Sequence, residues 1–413
     1  MKRNLPFMLL APLIVTAAQP ATLALYGELY DVSSIIAWHP GGPAILRQAR
    51  SLALTDATPM FESQHAFRDA DEMRAKLAPY RVNGTAPQLY AFNDKGFYRT
   101  LRRRAAAFVR EHELAEVDTH PALKTAAPKG GVYVVLKYAL FMVIALWLSF
   151  KSVRVPPGAA GLARSALLAL FAGAFTVAAT FCLLHDASHM AVFTRDAATT
   201  DVIGRFTQTA VWWDAAIWRA HHVLLHHAYT GDVTRDPDMR HGVATFCKAK
   251  EVYRCDPDTP TRQFVQSLST LYIGQAIMYL DSKIKGYRVA LGAHERTAPL
   301  GNGIDNIHGI LFEGWSWWQY VLAAAPACYP LANFVSARRQ GASVKLAATR
   351  AAAGSTLFLL GCNVVFAMNI LIDHDAHANY ELYDEFVLAV GSTSAADWGE
   401  VQVRATANWA GPI

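Results

Sequence analysis

Gly131 to Phe150 is an apolar run with only Lys137 inside it, and Ala166 to Leu184 is a second. At about 1.5 Å of rise per helical residue, each is long enough to cross the hydrocarbon core of a bilayer. A backbone in hydrocarbon must satisfy its own hydrogen bonds, so these segments are restricted to helix. Lys151 to Ser165, with Pro156-Pro157 and Arg164, makes a short polar turn between them, and the two runs read as a hairpin. Arg338-Arg339, Lys345 and Arg350 separate another pair, about Trp315 to Val335 and Ala351 to Ile372. Four spans in two hairpins are therefore expected. A weaker stretch, Phe264 to Leu280, is broken by Gln and Ser and is expected at the interface or packed on the catalytic face. Composition agrees, since 53% hydrophobic and 17% charged residues are too apolar for an ordinary soluble domain.

The net charge of +5 comes without any basic run carrying interleaved aromatics, so nucleic acid is not an expected partner. Eight Lys or Arg between Lys95 and Lys129 place the long segments on the cytosolic side. The five cysteines form no CxxC pair and fit a reducing cytosolic face.

That topology gathers histidines on one membrane face. His185 and His189 end the second apolar run at helical i, i+4 spacing. Trp218-Arg219-Ala220-His221-His222-Val223-Leu224-Leu225-His226-His227-Ala228-Tyr229-Thr230 carries four of the chain's 15 histidines within seven residues. If this segment is α-helical, His222 and His226 stand one turn apart with His227 beside them. His374 follows the fourth run. Polar helix ends would be the bland reading. Ionisable groups at membrane depth are costly, however, and three clusters from distant segments favour a metal site. All-imidazole ligation with few carboxylates suits iron better than magnesium or calcium. Asp186, Asp236 and Asp238 are candidates to orient the ligating rings.

Before the apolar runs lies a smaller pattern. Thr22 to Leu25, Tyr26-Gly27-Glu28 and Leu29 to Val32 read as strand, turn, strand. His39-Pro40-Gly41-Gly42 precedes a helical stretch from Pro43 to Arg50, and His65 follows Phe61 in Ala57 to Phe67. Two such imidazoles could clamp a haem from both sides and leave its iron saturated, a centre that passes single electrons. Tyr30-Asp31-Val32, His39-Pro40-Gly41-Gly42 and Phe61 to His65 resemble cytochrome b5. The resemblance implies haem b with His39 and His65 as axial ligands. That family's leading strand and helix are not evident before Thr22.

His185-Asp186-Ala187-Ser188-His189, then His222 to His227 with Tyr229-Thr230 and Asp236-Pro237-Asp238, resemble the first two histidine boxes of membrane fatty acid desaturases with an N-terminal cytochrome b5 domain. Departures are Gly231, where Asn is usual, and His221, where Gln or Asn is commoner. Asp397-Trp398, Gln402, Thr406 and Asn408 resemble the stretch leading into the third box, which is expected a little beyond Trp409, whereas the sequence stops at Ile413. On that ground the chain is expected to be truncated before the third box.

The resemblance implies an α+β haem domain followed by an all-α multi-pass membrane domain of four transmembrane helices with a cytosolic helical cap. Residues 1–20 form an apolar N-terminal segment, read as a short secretory signal or as packing on the first domain. Residues 21–92 are the haem domain, 93–130 a linker with an amphipathic interfacial helix, and 131–413 the desaturase domain. The implied metal ligands are His185, His189, His222, His226, His227 and His374, holding two non-haem irons. The implied reaction is oxygen-dependent desaturation of a fatty acyl chain, on a membrane lipid, a sphingolipid or acyl-CoA. The implied electron donor is an NADH-dependent cytochrome b5 reductase. The implied location is the endoplasmic reticulum membrane, with haem domain and boxes facing the cytosol. An acyl-chain hydroxylase and an inactive membrane haem protein are the alternatives.

Overall fold

The computed structural model describes residues 22–52, 54–66, 70–111, 131–189, 192, 202–207, 218–230, 236, 317–374 and 396–405. The N-terminal segment, residues 112–130, Phe264 to Leu280 and Asp238 lie outside them.

Strands β1 (Thr22–Leu25) and β2 (Glu28–Asp31) pair antiparallel, with Leu23 opposite Tyr30. Tyr26 and Gly27 both have positive φ, 53° and 78°, as a two-residue hairpin matched to strand twist requires. Strand β3 (Arg81–Thr85) adds to the far side of β2, giving the order β1-β2-β3. Helix α1 (Pro43–Ser51) starts with proline, which lacks only an N–H that the first turn would leave unbonded. Helices α2 (Thr58–Gln64) and α3 (Ala70–Leu77) complete the small domain. Its core holds Leu25, Val32, Leu52, Ala57 and Met60.

Helix α4 (Phe97–Glu111) is more than a linker. The side bearing Leu101 and Phe108 is exposed, as an interfacial helix requires, at 48% and 53%. The opposite side packs on the small domain through charge. Glu62 of α2 is fully buried and receives hydrogen bonds from Tyr26 Oη at 2.5 Å, Tyr98 Oη at 3.1 Å and Arg102 Nη1 at 2.5 Å. Arg99 Nη2 lies 2.7 Å from Oε1, the oxygen that also accepts from Tyr26. Of the Arg102-Arg103-Arg104 run, Arg102 therefore turns inward. Opposite charge compensates the burial of both arginines, and hydrogen bonds add to it at Arg102, whereas the Arg99 guanidinium meets Glu62 as an ion pair alone.

Helices α5 (Gly131–Arg154) and α6 (Ala159–Ser188) form the first hairpin. The π-helix α7 (Arg219–His226) follows, then α8 (Trp317–Arg339), α9 (Val344–His374) and α10 (Trp398–Ala405). Helix α6 packs on both α5 and α9, and α8 packs on α9 and α5. Leu136, Leu140, Val143, Trp147 and Phe150 of α5 are exposed, which is the face hydrocarbon would cover. A Cβ added at Gly173 would strike the Phe358 carbonyl, and one at Gly361 the Leu170 carbonyl. The crossing of α6 and α9 is thus a backbone contact that only glycine permits. At the far end, Arg350 donates to the carbonyls of Ser152 (2.8 Å), Val153 (2.7 Å) and Val155 (2.6 Å), satisfying the open end of α5.

Among the described residues, three helices are long and apolar enough to cross a membrane: Tyr133–Arg154, Ala159–Ser188 and Val344–Phe366. The fourth expected run is also helical, as α8, but is not one of these three; it carries Gln319, Asn333 and two prolines.

Candidate metal centre and haem pocket

The last turn of α6 carries His185, and His189 caps the helix, with the two ring centroids 4.7 Å apart. Helix α7 brings the second set against them, in a register that differs from the sequence expectation. The His227 N–H bonds to the His222 carbonyl at 3.2 Å, an i→i+5 bond. In this wider winding His222 is aligned with His227. Their Nε2 atoms are 3.1 Å apart and their centroids 4.5 Å. His226 lies 5.5 Å from His222 and its Nδ1 bonds to Asp236 Oδ1 at 3.0 Å. π-helical winding is rare and is frequently found at functional sites.

His222 stands 4.8 Å from His185 and 5.0 Å from His189, and His227 stands 4.7 Å from His189, all between centroids. One ring nitrogen each from His185, His189 and His222 lies within 4.8 Å of the others. Three nitrogens bound to one ion at about 2 Å would lie within about 4 Å of one another, so this set would hold a metal only after drawing closer together. The imidazole of His222 is held well below its ordinary pKa, first by burial and then by His227, His226, His185 and His189. It is neutral at physiological pH, so its lone pair is available to a metal.

Neighbours fix the ligand rings. Asp186 Oδ1 lies 3.2 Å from His185 Nδ1, and Tyr138 Oη of α5 donates to Asp186 Oδ2 at 2.6 Å. Buried Asp236 holds His226 by Nδ1 and leaves Nε2 for another partner. Trp218 stacks on His222 at 4.4 Å and 13°. Its Nε1 donates to Ser188 Oγ at 3.2 Å, and that hydroxyl donates to the His185 carbonyl at 2.7 Å. Trp218 and Tyr138 were not singled out as site residues from sequence. An indole four residues before His222 was the available signal for the first, whereas Tyr138 is 48 residues from its partner and left none. His374 is the last residue of α9, and its side chain lies outside what the structure describes.

In the small domain, His39 and His65 face each other with ring centroids 6.2 Å apart. An iron between them, at about 2 Å from one nitrogen of each ring, needs a centroid separation of roughly 6 Å. The rings thus already have an axial pair's spacing. His65 Nδ1 lies 2.7 Å from the Phe61 carbonyl, which leaves Nε2 for a metal. His39 Nδ1 is buried without a hydrogen-bond partner, and burial lowers the pKa of this ring. A Cβ at Gly41 would come within 3.1 Å of the His39 ring, so glycine keeps that side open.

Residues 163–413 match the family described as "Fatty acid desaturase". The chain belongs to the fatty acid desaturase family. Residues 16–84 of this desaturase-family chain match the "Cytochrome b5-like Heme/Steroid binding domain", which indicates haem binding. An acyl-lipid (8-3)-desaturase of Physcomitrium patens is 26% identical over 62% of the chain and 49% of its own length. One of Mortierella alpina is 26% identical over 52% and 45%. A cytochrome b5-related protein of Drosophila melanogaster is 29% identical over 49% and 38%. The chain spans half or less of the length of these three curated relatives. No solved structure matches it.

Proposed function

We propose that the protein desaturates a fatty acyl chain, using molecular oxygen at a di-iron centre and electrons from its fused haem domain. The observation that carries this reading is the convergence of His185 and His189 with His222 and His227 from a distant helix, in a chain of this family. Removing two hydrogens from adjacent methylenes, with O2, two electrons and two protons, gives one double bond and two waters. When bound, iron supplies the activation of oxygen that an unactivated C–H bond demands.

The chain supplies the rest. His185, His189, His222, His226 and His227 hold the metals, with His374 as a further ligand. Asp186 and Asp236 keep the rings of His185 and His226 oriented. Trp218, stacked on His222, packs edge to face on Phe181 at 5.2 Å in a buried apolar cluster, which gives the site a dry wall. His39 and His65 hold haem b. The acyl chain enters from the bilayer, carried by a lipid, a sphingolipid or CoA; named relatives act on acyl-lipids. α8 is the fourth span. An NADH-dependent cytochrome b5 reductase supplies electrons, and the haem domain and histidines face the cytosol from the endoplasmic reticulum.

The test is fatty-acid analysis by mass spectrometry in cells expressing the protein. A new double bond is expected, and its loss in His222→Ala. Normal product from His222→Ala, or haem without two irons per chain, would overturn the reading; a hydroxylated product would redirect it to hydroxylation.

A further inference from the structure

The cytochrome b5-like match ends at residue 84, whereas the groups around one proposed haem ligand extend into α4. Arg102 Nη2 donates to the His65 carbonyl at 2.5 Å, and Arg102 Nε donates to the Ala66 carbonyl at 2.8 Å. Arg102 Nη1 donates to Glu62 Oε2, in the helix that ends at Gln64 and delivers His65. A guanidinium from outside the matched domain thus holds both the ligand's own carbonyl and the carboxylate three residues before it.

Arg99 adds a second cation. It is 2% exposed, none of its guanidinium nitrogens has a hydrogen-bond partner, and Glu62 meets it as an ion pair at 2.7 Å. Two guanidiniums therefore share one fully buried carboxylate. Stability alone is a weak reason for such a group, since apolar residues of similar volume often pack as well as a buried ion pair. Its position suggests another use. Covalent geometry bounds the distance from Arg102, through the His65 carbonyl and ring, to an iron held at Nε2 to roughly 12 Å. At that range, with an effective dielectric constant of about 20, one unit charge biases a one-electron equilibrium about tenfold. Ferric haem carries one positive charge more than ferrous haem. A nearby cation therefore favours the ferrous form, and a nearby anion the ferric form.

We infer that α4 is a redox-tuning element of the haem domain. Arg102 and Arg99 raise the affinity of the haem iron for an electron, Glu62 lowers it, and the hydrogen bond from Arg102 to the His65 carbonyl fixes the range. The inference rests on the haem-binding part of the proposed function. The step it concerns adds one electron to ferric haem to give ferrous haem, with no bond made or broken and no proton moved.

The experiment uses the full chain in detergent, loaded with haem b. It is titrated anaerobically with dithionite and redox mediators while haem absorbance is followed. Arg102→Gln keeps a hydrogen-bond donor and removes the charge. It is expected to lower the equilibrium constant for reduction about tenfold, a fall of about 59 mV in midpoint potential. Arg99→Gln is expected to act in the same direction, and Glu62→Gln to raise the constant by a similar factor. Arg102→Lys keeps the charge, and Arg103 lies on the exposed side of α4, so Arg102→Lys and Arg103→Gln are expected to stay within about threefold of the parent. The shifts are expected to persist in about 1 M salt, because buried charges are poorly screened. The opposed signs separate tuning from damage: a loosened pocket admits water, which favours ferric haem in every variant. If Glu62→Gln holds no haem, Glu62→Gln with Arg102→Gln reads the same carboxylate, and its potential is expected above that of Arg102→Gln alone. Shifts of one sign on removing either charge, or shifts below about twofold on removing both, would overturn the inference. A parent chain without the absorbance of haem held by two imidazoles would sink the haem assignment as well; such a haem with unmoved potentials sinks the inference alone.

Discussion

Replacing Glu62 by alanine leaves Arg99 and Arg102 buried without their counter-charge. Both guanidiniums meet one carboxylate whose exposure is 0%, at 2.7 Å and 2.5 Å, so water cannot take its place without opening the domain. Tyr26 loses its acceptor too, and Tyr98 keeps only the backbone carbonyl of residue 62, at 3.3 Å. Removing one partner of such a buried pair costs about 3–5 kcal/mol, against a typical total stability of about 5–15 kcal/mol. Arg102 also donates to the backbone carbonyls of His65 (2.5 Å) and Ala66 (2.8 Å), so the disturbance reaches the haem ligand directly. The assay is urea unfolding of the haem-loaded chain, followed by absorbance of the haem. A fall of about 3 kcal/mol is expected for Glu62→Ala, whereas a Glu62→Leu, Arg99→Met, Arg102→Met triple variant should recover most of it. A loss below about 1 kcal/mol in Glu62→Ala would refute the reasoning, because it would mean that the two arginines find water or other partners.

Three further outcomes are expected. Burial, and then Glu62, push the phenols of Tyr26 and Tyr98 above their usual range. Stability from this source is complete below the unfolded pKa of about 10 and falls as pH rises beyond it, and a Tyr26→Phe, Tyr98→Phe variant should lose that alkaline slope in pH-dependent unfolding. Asp236→Asn weakens the hold on His226 Nδ1 and should lower metal affinity about 10- to 100-fold in competition with a chelator. Gly173→Leu drives a side chain into the Phe358 carbonyl and should separate α6 from α9, seen as a lower melting temperature in detergent, while Leu136→Ala on the exposed face of α5 should not.

Local signals in the sequence located the elements well. Tyr26-Gly27 between two apolar strands marked the hairpin, and Pro43 marked the start of α1. The long runs marked α5, α6, α8 and α9, because a span is a property of consecutive residues. What escaped was set by tertiary contact. The burial of Arg99 and Arg102 was not legible in the amphipathic interfacial helix that the sequence suggested, since nothing near them announces a carboxylate 37 to 40 residues away. The hydrogen bond from Gln64 of the small domain to the Val223 carbonyl of α7 was equally hidden, because the two are 159 residues apart. The pairing of His222 with His227 was missed for another reason. Eight residues are too few for hydrophobic periodicity to separate a π from an α winding.

That winding bears on how the second histidine segment could change. A π-turn holds one residue more within each bonded ring than an α-turn does. Deleting one of Val223, Leu224 or Leu225 would put His222 and the present His227 at i, i+4, where an ordinary α-helix keeps them on one face. The spare residue would vanish without separating the pair. The segment therefore has two admissible lengths for one ligand geometry, and the deletion of a single residue here is absorbed by the helix rather than by the site.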